Sequence, residues 1–163
     1  MAKTNFKFGR RSLANLQGVH PDVVAIVTLG LTKYCAHDFS VIEGVRSADQ
    51  AYRNWGKGRT VQELARVGGA AKYAQPNAKK VTWLRHPLNS KHCLQRDGFS
   101  HAVDLLPVVG EWQAPVSTFK AMDEAFKKAA TELGKPFLRW GGDWDEDGKV
   151  GEKNEWDFVH WEN

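Results

Sequence analysis

Apolar positions along this chain recur with two different periods, and each period predicts a different kind of element. Val23, Val24, Ile26, Val27, Leu29 and Leu31 follow Pro21, a residue suited to the first turn of a helix, so a strongly apolar core helix is expected to run to residues 33–36. Ser12, Leu13, Ala14, Asn15 and Leu16 predict a shorter helix before it, stopped at Gly18. Further along, Phe119, Met122, Phe126, Ala129 and Leu133 share one helical face. Lys120, Asp123, Glu124, Lys127 and Lys128 lie mostly on the other, and Gly134 supplies the C-terminal stop. Alternation of period two appears at Phe39, Val41 and Val45 against Ser40 and Glu43, which predicts a strand running into residues 44–46. Ala102, Val103, Leu105 and Leu106, closed by Pro107, predict a buried strand, and residues 137–140 predict another.

Local punctuation divides the rest. Ser47 with Gln50, and Thr60 with Glu63, are capping-box pairs that open two helices, one carrying Tyr52 and Trp55, the other running to Val67. Residues 70–80 are small and polar, with Pro76-Asn77, and predict a surface loop over the site. Residues 81–85 read as a short strand or as part of that loop, and residues 110–112 as a turn. This order of helices and strands predicts an α+β fold with a small, mostly antiparallel sheet packed with helices. With no internal repeat and no low-complexity linker, residues 1–163 are expected to form a single domain.

Composition narrows the class. The chain is 42% hydrophobic and 26% charged, ordinary for a folded globular protein and unlike a disordered one. Its net charge of +4 admits an anionic partner, but the charges are scattered and no run of five basic residues exists, so a solvated surface explains them equally. Cys35 and Cys93 are too few for a disulfide scaffold and are read as reduced thiols. The basic stretch over residues 1–11 is followed by no apolar run, so no secretory signal is expected, and no stretch long enough to span a bilayer is present.

The chemistry concentrates in two segments. Residues 90–107 offer His92, a glycine-containing turn and Asp104 at the head of an apolar run; Asp157 precedes His160 by three residues near the C-terminus. Two His and one Asp make a zinc site with one position open, as a catalytic zinc requires, and Asp157 is then free to serve as base. His92 and Asp104 are too far apart in sequence to share a helical face and must converge from a loop and a strand. Arg46 stands at a predicted strand-to-helix junction, where its planar fork either reaches into a site or makes a surface ion pair. His20 and His37 read as cap or surface residues.

Ser90-Lys91-His92 followed by Ser100-His101-Ala102-Val103-Asp104-Leu105 resembles the S-x-H…G-x-A-x-D motif of zinc peptidases related to D-alanyl-D-alanine carboxypeptidases, in particular the phage L-alanyl-D-glutamate endolysins. Asp157-Phe158-Val159-His160 matches their later D/E-x-x-H motif. Arg11-Ser12-Leu13, Gly18-Val19-His20-Pro21-Asp22, Glu43-Gly44-Val45-Arg46 and Leu138-Arg139-Trp140-Gly141-Gly142-Asp143-Trp144 extend the likeness over nearly the whole chain. Two departures stand out: residues 93–99 form a short insertion between the first His and the Asp, and Ser100 occupies a place where the family often has Gly.

This resemblance implies a hedgehog/D-Ala-D-Ala peptidase-like fold with zinc in a cleft, held by His92, Asp104 and His160. Asp157 would be the general base, and Arg46 would stabilise the oxyanion or grip a substrate carboxylate. His101 matches a non-ligand position and is read as substrate-facing or structural. The implied activity is that of a phage endolysin, cutting the L-alanyl-D-glutamate bond of peptidoglycan stem peptides at host lysis. The implied protein is a monomer without nucleic-acid partners, held in the host cytoplasm until a holin gives it access to the periplasmic wall of a Gram-negative cell. A D,D- or L,D-carboxypeptidase and a basic, non-enzymatic module for wall polymer or nucleic acid are the alternatives. Asp143, Asp145 and Asp147 carry the D-x-D-x-D-G opening of a calcium loop; the bidentate Glu expected at its end is replaced by Asn154, with Glu152 or Glu155 as substitutes. Of seven tryptophans, Trp156 and Trp161 flank Asp157 and His160 and are expected to wall the cleft.

Overall fold

A computed structural model describes residues 5–163; residues 1–4, the start of the basic N-terminal stretch, lie outside the described residues. Among the described residues no helix is long and apolar enough to cross a membrane.

The elements run α1 (Arg10–Asn15), α2 (Pro21–Leu29), β1 (Phe39–Glu43), α3 (Ala48–Gly56), α4 (Val61–Arg66), β2 (Ala102–Pro107), α5 (Val116–Leu133), β3 (Arg139–Trp140) and β4 (His160–Glu162). Their starts have local causes. The His20 ring accepts the Asp22 N–H at the head of α2, where Pro21 lacks a donor to lose; Ser47 accepts from Gln50 N; and Thr60 with Glu63 forms a complete capping box on α4. The α2 helix continues as a π-turn over Gly30–Tyr34, and α5 ends at Gly134 in the left-handed conformation.

Among the described residues, the four strands form one antiparallel sheet in the order β1-β2-β4-β3. Its α+β architecture matches the sequence expectation. Phe39, Val41, Val103, Leu105, Trp140 and Trp161 pack from the sheet onto Val23, Ile26, Val27, Leu31, Phe119, Met122 and Phe126 of the α2 and α5 layer, forming the hydrophobic core. Alternation along each strand leaves the opposite sheet face for Asp104 and His160. The outer edge of β1 is satisfied by α1: Ser12 Oγ accepts the Val41 N–H at 3.0 Å, and Asn15 Nδ2 donates to the Val41 and Ile42 carbonyls. Gly44 sits so close to α1 that a Cβ there would lie 2.0 Å from the Asn15 carbonyl oxygen, so only glycine lets the chain turn out of β1 at this point.

Several local expectations are settled or changed. Of the two readings for residues 81–85 the loop holds, since they form no strand. That loop is fastened to α3, with Gly58 N donating to the Gln75 carbonyl, Gln75 N to the Gly56 carbonyl, and Tyr73 stacked on Tyr52. Trp161 is completely buried, because on β4 it alternates with His160 and Glu162 and so points into the core, stacked on Trp140. It therefore does not wall the cleft, whereas Trp156 is exposed beside Asp157. Cys35 and Cys93 are both free and buried.

Candidate metal centre and active site

The sheet register creates the centre. Asp104 on β2 lies directly opposite His160 on β4, so their side chains project side by side from the same sheet face. His92 reaches the same point from the loop before β2. The insertion between them does not push them apart: Gln95 N donates to the Phe99 carbonyl, Gly98 N to the Gln95 carbonyl, and the Lys91 carbonyl accepts from His101 N at 2.8 Å. Residues 93–99 thus close on themselves as a turn.

Three donor atoms converge. His92 Nε2 lies 3.0 Å from Asp104 Oδ1 and 3.1 Å from His160 Nδ1, and His160 Nδ1 lies 3.1 Å from the same Asp104 oxygen. The far side of each ring is already committed. His92 Nδ1 is 2.7 Å from the Gly44 carbonyl oxygen, which only accepts, so Nδ1 carries the proton and Nε2 presents a lone pair. His160 Nε2 is 2.9 Å from Glu162 Oε2, so by the same argument its proton faces the carboxylate and Nδ1 presents a lone pair. Neutral rings in these tautomers aim two lone pairs and a carboxylate oxygen at one another, an arrangement that a bound cation satisfies. The donor set of two imidazoles and one carboxylate fits zinc with an open fourth position.

The electrostatics agree. Burial opposes ionisation of Asp104, but its close contacts with His160 and His92 hold its carboxyl well below the usual carboxylate range. Burial likewise opposes charge on His160, yet its contacts with Asp104 and Glu162 prevail and push its pKa up to about 9. The pocket favours positive charge at this point.

Asp157 lies in the turn that leads into β4, its backbone carbonyl accepting from His160 N at 3.1 Å. Gly141 packs against this turn so tightly that a Cβ would stand 2.3 Å from the Asp157 carbonyl oxygen. The surrounding protein raises the Asp157 pKa, chiefly by desolvation, with a further push from Asp104 against the opposing charges of His160, His92 and Arg46. Arg46, at the end of β1, is gripped by Glu43 through two hydrogen bonds of 2.7 and 2.6 Å, while Nη1 faces Ser90 Oγ at 3.4 Å. Its fork is an ion pair with Glu43 whose third nitrogen faces Ser90.

Two other His/Asp/Glu groups differ in kind. Asp97 Oδ2 lies 2.7 Å from His101 Nε2 and 4.0 Å from His20 Nε2, and His20 Nδ1 already accepts the Asp22 N–H. That tautomer places a proton on the His20 nitrogen facing Asp97, so the carboxylate is a hub for N–H groups and no lone pairs are left aimed at each other. His101 joins the insertion turn to Asn163 through hydrogen bonds on both ring nitrogens. In the acidic loop, Asp143, Asp145 and Glu155 converge, whereas Asp147 turns away to Lys149, with which it pairs at 2.7 Å. Glu155 Oε1 accepts from the Trp144 and Asp145 backbone, but its Oε2 and the Oδ1 of Asp143 are buried without a hydrogen-bond partner.

Sequence reasoning did not pick out Glu43 as the partner of Arg46, Glu162 beside His160, or Trp144 packed 5.6 Å from the His160 ring. β4 places Glu162 on the same face as His160 two residues away, and Trp144 is brought there by tertiary folding alone.

Comparison with known proteins gives a consistent answer. Residues 4–68 and 65–162 match the family described as phage L-alanyl-D-glutamate peptidase. Among solved structures, the fold is similar to that of an L-Ala D-Glu endopeptidase, ChiX, of Serratia marcescens. The two are 27% identical with a TM-score of 0.54, over 97% of this chain and 90% of that one. No curated protein sequence matches.

Proposed function

The chain belongs to the phage L-alanyl-D-glutamate peptidase family, an endolysin-like group of peptidoglycan endopeptidases, and from that premise we propose that residues 1–163 act as one zinc-dependent catalytic domain. The substrate is the amide between L-alanine and D-glutamate in the stem peptide. His92, Asp104 and His160 hold the zinc; Asp157 is the general base. The observation that carries this reading is the mutual approach of His92 Nε2, His160 Nδ1 and Asp104 Oδ1 with the ring protons directed elsewhere.

When bound, zinc would supply Lewis acidity toward the scissile carbonyl and lower the pKa of a water. The protein's own groups do the rest. Asp157, whose pKa is raised by burial toward the working range of a base, takes the proton of the attacking water and returns it to the leaving amine. Arg46, braced by Glu43, offers its remaining N–H edge to the carbonyl oxygen as negative charge develops there, or to a stem-peptide carboxylate. Gly141 keeps the Asp157 turn pressed against the end of β3, which limits how far the base can wander. Release from the host cytoplasm to the periplasmic wall by a holin, and action as a monomer, complete the proposal.

Mass spectrometry of fragments released from purified Gram-negative peptidoglycan tests the bond. New L-alanine C-termini and D-glutamate N-termini are expected. Loss of a terminal D-alanine alone would replace the endopeptidase with a carboxypeptidase, and binding without cleavage, weakening steeply with salt, would favour a basic binding module.

We further read Asp143, Asp145 and Glu155 as a calcium site, supported by the buried, unpartnered oxygens of Asp143 and Glu155. Asp147, aligned by the loop motif, contributes through the turn it makes with Lys149 N. Glu155 is two residues from Asp157, so cation binding would steady the base. Titrating calcium into calcium-free protein held at saturating zinc is expected to raise both melting temperature and turnover; no change in either across the titration rejects the site.

A further inference from the structure

His92 and His160 are held from behind in different ways. A backbone carbonyl, that of Gly44, fixes His92, whereas His160 depends on a side chain, the carboxylate of Glu162. This carboxylate is itself anchored: Glu162 Oε1 accepts from Arg139 Nη2 at 3.0 Å, and Arg139 and Glu162 are direct cross-strand partners on β3 and β4. The Arg139 guanidinium lies 5.0 Å from the centre of the Trp144 ring, and Trp144 packs 5.6 Å from His160. Four side chains therefore close a circuit: His160 to Glu162 to Arg139 to Trp144 and back to His160.

We propose that Glu162, anchored by Arg139, is a positioning residue that locks the His160 ring with Nδ1 turned toward the metal. This rests on the reading of His160 as a metal ligand. The physical need is plain. An imidazole free to rotate about its Cβ–Cγ bond exchanges Nδ1 for a carbon, and a ring whose Nε2 proton has no acceptor has no preferred tautomer. A half-buried carboxylate 2.9 Å from Nε2 removes both freedoms, and its negative charge makes the opposite nitrogen a stronger donor to a cation. Trp144 closes one flank of the ring, and Arg139 keeps the carboxylate from swinging into solvent.

The test is zinc affinity by chelator competition on the full chain, for the parent and for Glu162→Ala, Glu162→Gln and Arg139→Ala, with melting of each metal-free protein alongside. Loss of such a partner typically weakens metal binding about 10–100-fold, and that loss is expected for Glu162→Ala. Glu162→Gln keeps an acceptor oxygen for the Nε2 proton and should recover most of the affinity, a rescue that a merely structural role would not produce. Arg139→Ala leaves the carboxylate in place and should cause a smaller loss; it decides the matter if Glu162→Ala fails to fold. Affinity within about twofold of the parent in Glu162→Ala, or in Arg139→Ala if that variant decides, overturns the inference while leaving the zinc reading intact. A parent protein that takes up no zinc overturns the zinc reading, and the inference with it.

Discussion

Asp157→Asn protein is expected to fold and to take up zinc like its parent, yet to turn over stem peptides about 100- to 10,000-fold more slowly, the usual contribution of a positioned general base. The substitution keeps the shape of the side chain and removes its proton affinity. Nothing in the hydrogen-bonding around Asp157 argues for a fold penalty, because its ordered contacts are made by the backbone: its N–H to the Gly141 carbonyl and its carbonyl to His160 N. The loss should fall on kcat more than on KM, since the carboxylate acts on the water and the leaving amine and not on the distant parts of the substrate. The measurement is steady-state kinetics on a defined muropeptide together with zinc content. Full turnover in the asparagine variant would remove Asp157 from the mechanism. Zinc loss in that variant would instead make it a ligand.

The second large effect is loss of the metal itself. Chelation, or His160→Gln, is expected to lower turnover about a thousandfold or more, since a Lewis acid contributes several kcal/mol to the transition state and each 1.4 kcal/mol is a factor of ten. A pH signature accompanies it. With the metal removed, the folded protein raises the His160 pKa from its ordinary 6.5 to about 9, because Asp104 and Glu162 outweigh the cost of burial. A group raised on folding stabilises most below its unfolded pKa, so the chelated protein should lose stability as pH climbs from 6.5 to about 9. Zinc must displace that proton, so its apparent affinity should rise over the same interval and level off above it. Melting curves with and without chelator across this interval check both slopes. Turnover that survives complete metal removal would sink the assignment.

The parts of this molecule that were legible in the sequence are those set by neighbours in the chain. Pro21 and the Thr60–Glu63 box announce helices because their cause is local, and the Ala102–Pro107 strand follows from an apolar run that ends in proline. The three proposed ligands and Asp157 stood out by chemistry and by motif. Trp161 was misjudged because β4 has only three residues, too few for alternation to be seen, so its side chain was assigned to the cleft when its register with Val103 turns it into the core. Glu152 and Glu155 could not be told apart by spacing, since which of them joins Asp143 and Asp145 depends on how the loop folds back. Glu43 escaped notice for a related reason. It looked like an ordinary polar strand residue until the bulge opposite Asp104 brought it against Arg46.

The closed turn over residues 93–99 has a bearing on how this scaffold can vary. Its two ends are clamped by the Lys91–His101 backbone bond, and Ser100 N is held separately by the Gly18 carbonyl, so the segment leaves and re-enters the protein at nearly one point. Chain added at the exposed Asp97-Gly98 tip would be felt as a slightly longer loop and not as a displaced His92 or Asp104. Doubling such a loop costs only about 0.6 kcal/mol in closure entropy. The tip is therefore a natural port for grafting foreign sequence, such as a wall-targeting peptide, between two proposed metal ligands without parting them.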